Sequence, residues 1–314
     1  MRKAAIALSA VVVVLAAAFF YMTRDRSYDR SFDTRVANPA YPSGGGGPVV
    51  LYDEGHLNSH TTTTGYKPFA DLIRNDGHTL RTTDQPFTAQ QLGGIAVLVL
   101  VLAQGSNPTN DSAAYSDAET GAIAAWVREG GSLLLVADHW PFGLAARSLA
   151  QRFDVDLSGG FAEDPKYHEP ERGVSHLVFS EENGLLRAHP ITRGVKRVLT
   201  FTGTSLQGPA GAVAFLSLSD SATDRPPGPA RVEQAGGDTR VLMEYGDPQP
   251  ARGRAQGIAF EFGRGRVVVL GEAGMLRAQR DRTGLVGMNM PGYDNRQLAL
   301  NIMHWLSRGE AAAR

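Results

Sequence analysis

Four short runs along the chain are apolar at almost every position: PVVLY at 48–52, AVLVLVLA at 96–103, SLLLVA at 132–137 and RVVVL at 266–270. Runs of this length with no polar face read as strands covered on both sides, as in a parallel sheet. Between them the period lengthens to that of a helix. Phe69, Leu72 and Ile73 share one face of a helix predicted over 66–75, which Gly77 stops. Over 116–129, Ser116 and Glu119 have the spacing of a capping box and Gly130-Gly131 end the helix. A strand over 78–82 and helices over 144–153 and 295–307 continue the alternation, the last with Leu298, Ile302, Trp305 and Leu306 on one face. Strand and helix in this order predict an α/β fold with a mostly parallel, doubly wound sheet.

The second half is less regular. Glycine, proline and charge over 158–176 predict an excursion or lid. Alternating stretches at 195–202, 212–218, 240–245 and 256–262 predict strands of an antiparallel extension, with loops at 220–229 and 246–253. GRGR at 263–266 leads no helix, so a turn between strands is expected there and not a phosphate loop.

Composition adds constraints on class. The chain has 314 residues, a formal net charge of -1 and no cysteine. Disulfides, thiolate metal ligands and cysteine nucleophiles are thereby excluded, and the charge balance gives no electrostatic footprint for nucleic acid. After Met1-Arg2-Lys3, residues 4–22 are uncharged and apolar over about the length of a membrane-crossing helix. This predicts an N-terminal membrane anchor or signal segment at 1–22, a single-pass protein and an extracytoplasmic (periplasmic) folded domain. A cleaved signal peptide and secretion form the competing reading, because Ala16-Ala17-Ala18 offers small residues before Phe19, Phe20 and Tyr21. The mixed charge of 23–47, ending in Gly44 to Gly47, predicts a flexible linker, followed by a domain over 48–308 and a tail at 309–314.

Polar chemistry falls where apolar strands end. PVVLY is followed by Asp53-Glu54-Gly55-His56, SLLLVA by Asp138-His139, and VVVL by Gly271-Glu272. In a parallel sheet these ends share one edge, where ligands bind in open α/β folds. Glu54, His56, Asp138, His139 and Glu272 are therefore the candidate catalytic residues. Asn58, His60, Asn289, Asp294 and Asn295 are candidate ligand-binding groups. Imidazole and carboxylate together also suit a divalent transition metal, with His56, His60, Asp138 and His139 as its ligands. Acid–base catalysis or hydrogen bonding to a polyol needs no metal. The bland alternative is capping: Asp138 before Trp140-Pro141 has the look of a helix N-cap. His78, His189 and His304 read as structural, and His168 and His176 as facing solvent.

The strand ending in DEGH, the block GAIAAWVREGGSLLLVADH and the later AHPITRGV and GRGRVVVLGEAGML segments resemble the class I glutamine-amidotransferase-like superfamily. They are most similar to an uncharacterised branch with trehalose-utilisation-like proteins and auxiliary proteins of gliding and transport systems. The resemblance implies a flavodoxin-like sheet with its pocket at the strand ends. Members active on glutamine carry a cysteine on a strand-to-helix elbow. The matching turn here is Asp138-His139-Trp140-Pro141-Phe142-Gly143, which has none, so thioester chemistry is excluded. The expectation is a membrane-anchored domain that binds a small polar ligand, a carbohydrate or cell-envelope component. A metal-assisted or acid–base hydrolase and a non-catalytic interaction module of a membrane complex are the rivals.

Overall fold

The computed structural model describes residues 28–42, 46–106, 112–235, 238–281 and 284–309. In chain order come β1 (Val49–Asp53), α1 (Lys67–Asn75), β2 (Thr79–Thr83), β3 (Val97–Val101), α2 (Asp117–Arg128) and β4 (Ser132–Val136). Two short helices follow, α3 (Phe142–Ala145) and α4 (Arg147–Gln151), then β5 (Asp156–Leu157), β6 (Phe161–Glu163), β7 (Val178–Ser180), β8 (Arg197–Leu199) and β9 (Leu206–Gln207). The rest comprises β10 (Val213–Ser217), β11 (Thr223–Arg225), β12 (Pro227–Ala235), β13 (Asp238–Tyr245), β14 (Gln249–Pro250), β15 (Ala255–Phe262), β16 (Gly265–Leu270), β17 (Ala278–Asp281), β18 (Gly284–Gly287) and α5 (Asn295–Leu306).

Strands β2, β1, β3, β4 and β16 lie side by side in that order, all parallel. This is the flavodoxin-like order, with β16 as fifth strand. Beyond β16 the sheet turns antiparallel through β15, which pairs with β9 and β10, and β9 pairs with β5. The mostly parallel α/β sheet with an antiparallel extension is thus present.

Successive strand residues face opposite cores, as the pleat demands. Val50, Tyr52, Val97, Val99, Leu134 and Val268 pack with Phe69, Leu72 and Ile73 of α1 and Leu298 and Ile302 of α5. Leu51, Leu98, Leu100, Leu133 and Val267 pack with Ile123 and Val127 of α2 and Leu149 of α4. The helices after β1 and β3 therefore lie on opposite faces, which makes the gap between β1 and β3 the topological switch point. The Ser116–Glu119 capping box forms as expected.

Several expectations are corrected. Residues 220–229, expected as a loop, hold β11 and the start of β12, which forms a two-stranded ribbon with β13 apart from the main sheet; a ribbon edge needs no donor from proline. Residues 144–153 form two short helices instead of one. The 158–176 excursion is anchored, with Asp164 accepting from Ser219 Oγ (2.6 Å), Ser221 Oγ (2.7 Å) and the Lys166 and Tyr167 amides. Within it, His168 Nδ1 lies 2.9 Å from Asp164 O and the His176 ring packs edge-on against Phe201, so both histidines are engaged.

Residues 28–42, expected within a flexible linker, form a strap across the body. Asp29 N donates to Ala278 O, Arg296 Nη2 to Arg35 O, Asn75 Nδ2 to Thr34 O, and Ala40 N to buried Asp76 Oδ1. Phe32 and Val36 pack against the core on the α1 and α5 side.

The expected membrane segment, residues 4–22, lies outside the described residues. Among the described residues no helix is long and apolar enough to cross a membrane. On that finding, the membrane-anchored, single-pass and extracytoplasmic reading is withdrawn.

Candidate functional site

The parallel register puts the carboxyl ends of β1, β3, β4 and β16 on one edge. From β1 to β16 is three strand spacings, roughly 14 Å. The polar residues along this edge form two groups, each built around a buried carboxylate.

The first group sits at the switch point. Asp53, fully buried at the end of β1, places Oδ1 2.8 Å from His56 Nδ1. His56 Nε2 lies 2.9 Å from Glu119 Oε1, which arrives from the first turn of α2. The imidazole stacks on Phe87, with centroids 5.3 Å apart, and meets Tyr115 at 4.7 Å. Asn58 closes the loop by donating to Asp53 Oδ2 (3.1 Å) and Val101 O (3.0 Å) while its Oδ1 accepts from His56 N (3.0 Å). Gln104 N then donates to His56 O at 2.9 Å, stitching the loop to the end of β3. Burial alone would lower the His56 pKa, but the bonds to Asp53 and Glu119 outweigh it and raise it above 6.5. Burial would also raise Glu119, yet donors from Ser116, Phe87 and His56 bring its carboxyl below its usual 4.5.

Glu54 turns away from this group. Its Oε1 accepts from Thr62 N and Thr62 Oγ1, both at 2.8 Å, and so shapes the same loop.

The second group lies at the ends of adjacent β4 and β16. Asp138 accepts from His139 N (2.7 Å) and Ala273 N (3.2 Å), thereby tying the two strand ends together. It does not cap α3, whose N-cap is Pro141. Glu272 accepts from Met275 N at 2.8 Å and from Gly274 N. Burial, and then the charge of Asp138, push the Glu272 carboxyl well above its usual 4.5; burial likewise raises Asp138. His60, on the loop from β1, stacks on Tyr66, whose hydroxyl donates to Ala273 O at 2.8 Å. Burial, helped by the charge of Arg277, pushes His60 well below 6.5, so this imidazole is neutral.

His139 is the partly open member, with 21% of its side chain exposed. Its Nε2 lies 3.6 Å from Asp138 Oδ1 and its Nδ1 2.8 Å from Trp140 O. The Phe161 ring from β6 stands 5.4 Å from the imidazole, and the Tyr245 hydroxyl at the end of β13 stands 3.5 Å from Nδ1. Next to Glu272, Thr202 has φ of +92°, a strained backbone for a β-branched residue.

Three of the expected binding groups are built into the frame elsewhere. Asn289 Nδ2 donates to Asp29 Oδ2 and Gln279 O. Asp294 Oδ2 accepts from Lys196 N and Arg197 N, and Asn295 bonds both Leu199 N and Leu199 O. His56, His60, Asp138 and His139 do not form one constellation, because both ring nitrogens of His56 are held by Asp53 and Glu119. Among the described residues no group of three or more histidine, aspartate or glutamate side chains is arranged to hold a metal ion. Sequence reasoning passed over Asp53, Tyr115, Phe161, Thr202, Tyr245 and Arg277; of these only Asp53 carried a signal, as the first acidic residue after β1's apolar run.

No protein-family model matches the chain, and no curated protein matches it. Solved structures do resemble it. The N-terminal domain of mmIFT52 superposes with a TM-score of 0.57 at 16% identity over 83% of this chain and 98% of that domain. The likeness is one of fold. A thua-like protein from Bacteroides uniformis gives a TM-score of 0.42 at 14% identity, covering 88% of this chain and 95% of its own. A cytoplasmic protein from Salmonella typhimurium gives 0.41 at 14% identity, covering 83% and 95%. Thua-like proteins thus stand among the structural neighbours.

The second group makes stability depend on pH. A carboxyl whose folded pKa is raised stabilises the fold below its unfolded value, near 4.5 for Glu272, and that stability is lost as pH rises through the folded value. Urea unfolding of the wild type should show stability falling above pH 4.5, by at most about 1.4 kcal/mol per pH unit for one linked proton. Glu272→Gln, neutral at every pH, should flatten that fall. Equal slopes in both proteins would place the titrating group elsewhere.

Proposed function

We propose that this is a ligand-binding domain of the amidotransferase-like fold, in the branch related to trehalose-utilisation-like and gliding or transport auxiliary proteins. It takes a small hydroxyl-rich molecule, a sugar or polyol, at the carboxyl end of β4. The observation that carries this reading is His139, a part-exposed imidazole at a parallel strand end, flanked by the Phe161 ring and the Tyr245 hydroxyl and backed by Asp138. An aromatic face offers apolar contact to a sugar ring, while imidazole and phenol offer hydrogen bonds to its hydroxyls. Carboxylates that already accept from backbone amides hold the loops and leave recognition to these three residues.

A ligand that binds only the folded state raises its stability, by about 2.7 kcal/mol at a hundredfold excess over Kd. Thermal unfolding of the full chain with a panel of monosaccharides, disaccharides and polyols is therefore expected to give a Tm rise with at least one of them. His139→Ala and Phe161→Ala, both folded by circular dichroism, should lose that rise. A flat panel, or a rise that survives both substitutions, would overturn the proposal.

The Asp138–His139 pair also favours a second reading, an acid–base hydrolase at the same place. Release of products from a bound saccharide, abolished in His139→Asn, would distinguish it from binding alone.

A further inference from the structure

The crevice between β1 and β3 is where sheets of this order receive ligands, yet here the chain's own loop fills it. The closure is unusual in its chemistry. One imidazole has a carboxylate oxygen at each nitrogen, Asp53 Oδ1 at 2.8 Å and Glu119 Oε1 at 2.9 Å, and only 11% of its side chain is exposed. A neutral imidazole has one N–H and one lone pair, so it can donate to just one of them. The other carboxylate would then face a lone pair. Only the imidazolium satisfies both.

We infer that His56 is a proton-operated latch: as an imidazolium it bonds loop 54–62 shut over the crevice between β1 and β3, and loss of that proton releases the loop. The charged groups around the ring are consistent with a single cation held by two anions. Asp53 faces it from β1 and Glu119 from α2. Tyr115, ahead of α2, contributes a phenol that burial holds neutral. From the segment at 84–87 come the Phe87 ring and the Phe87 N–H, which donates to Glu119 Oε1 at 3.1 Å, while the Asp84 carboxylate is bonded by Gln85. Glu54, on the loop itself, is engaged by Thr62. Leu57, between His56 and Asn58, has φ of +50° and is exposed, so the closed loop stores backbone strain that opening would relieve.

The direction follows from linkage. The closed-state pKa of His56 lies above 6.5, so closure is complete below 6.5 and is lost as pH rises through the closed-state value. The inference is independent of the ligand proposed at His139, because the two groups are built on different carboxylates and read by different signals.

Two measurements on the full chain test it. Imidazole ¹⁵N spectra should show both His56 nitrogens protonated at pH 6.5, with titration above that value. Hydrogen exchange of residues 55–62, corrected for the intrinsic pH dependence of amides, should show protection falling with a limiting slope of about tenfold per pH unit over the same range. His56→Gln, which cannot carry the charge, should be as unprotected at pH 6.5 as the wild type is after titration, with no pH dependence left. A neutral His56 at pH 6.5, or loop protection unchanged across its titration, would sink the latch; both readings come from the wild type and stand even if the variant fails to fold.

Discussion

Replacing Asp53 with alanine should destabilise the protein by about 3–5 kcal/mol, the usual cost of removing one partner of a buried charge pair. The carboxylate is fully buried and its loss strands several groups at once. His56 Nδ1 and Gly55 N lose their acceptor at Oδ1, and Asn58 Nδ2 loses its acceptor at Oδ2. A donor left unpaired and shielded from water costs about 1–3 kcal/mol, whereas the exposed Gly55 amide can turn to water instead. Part of the strain will relax by loosening of the loop, which keeps the total below the sum. The measurement is a denaturant titration, in which the midpoint should fall while the slope m stays near the wild-type value. Asp53→Asn, which keeps the shape, should cost less. A loss below about 1 kcal/mol for alanine would mean that the loop is held by its backbone bonds instead.

Gly265→Ala should cost about 3 kcal/mol, the upper end for overpacking, since the obstacles are backbone atoms and not movable side chains. A Cβ on Gly265 would lie 2.1 Å from Val127 O and 2.2 Å from Gly131 O. Those carbonyls belong to the end of α2 and the turn into β4, so β16 could keep its register only by pushing that corner away. Gly121→Ala is the natural contrast. Gly121 lies inside α2 with open space around its Cβ position, and alanine there should stabilise by about 0.5–1 kcal/mol. Thermal unfolding of the two variants should move Tm in opposite directions. A Gly265→Ala protein as stable as the wild type would show that the α2 corner is soft.

How far the sequence spoke depended on the range of the interaction. The apolar runs of β1, β3, β4 and β16 and the capping box of α2 are local patterns, and each formed where the pattern placed it. Glu119 was legible as a capping residue because Ser116 is three positions away. Its bond to His56 spans 63 positions and leaves no periodic trace. The strand-end rule brought the right segments to one edge, but a strand's end does not tell whether a carboxylate faces a ligand or a neighbouring amide. Glu54, Asp138 and Glu272 all turned to amides or hydroxyls of nearby loops. Phe161 and Tyr245 were invisible as site residues because the elements that carry them, β6 and β13, reach β4 only through tertiary packing. The strap at 28–42 reads as solvated charge, since much of its attachment is made by backbone groups and by partners such as Asn75 and Arg296 far along the chain.

That strap also decides where the protein can be cut. A fragment started at the glycine run before Pro48 would keep every strand of the parallel sheet and still lose part of its folded body. It would uncover Phe32's berth on the apolar core and strip Asp76 of the Ala40 amide, leaving that carboxylate to His304 and, at 3.6 Å, His78 among the described residues. Asn289 would forfeit one of its two acceptors at the far end. The strap thus works as a seam laid across α1, α5 and the β17–β18 ribbon, fastened to each of them by hydrogen bonds.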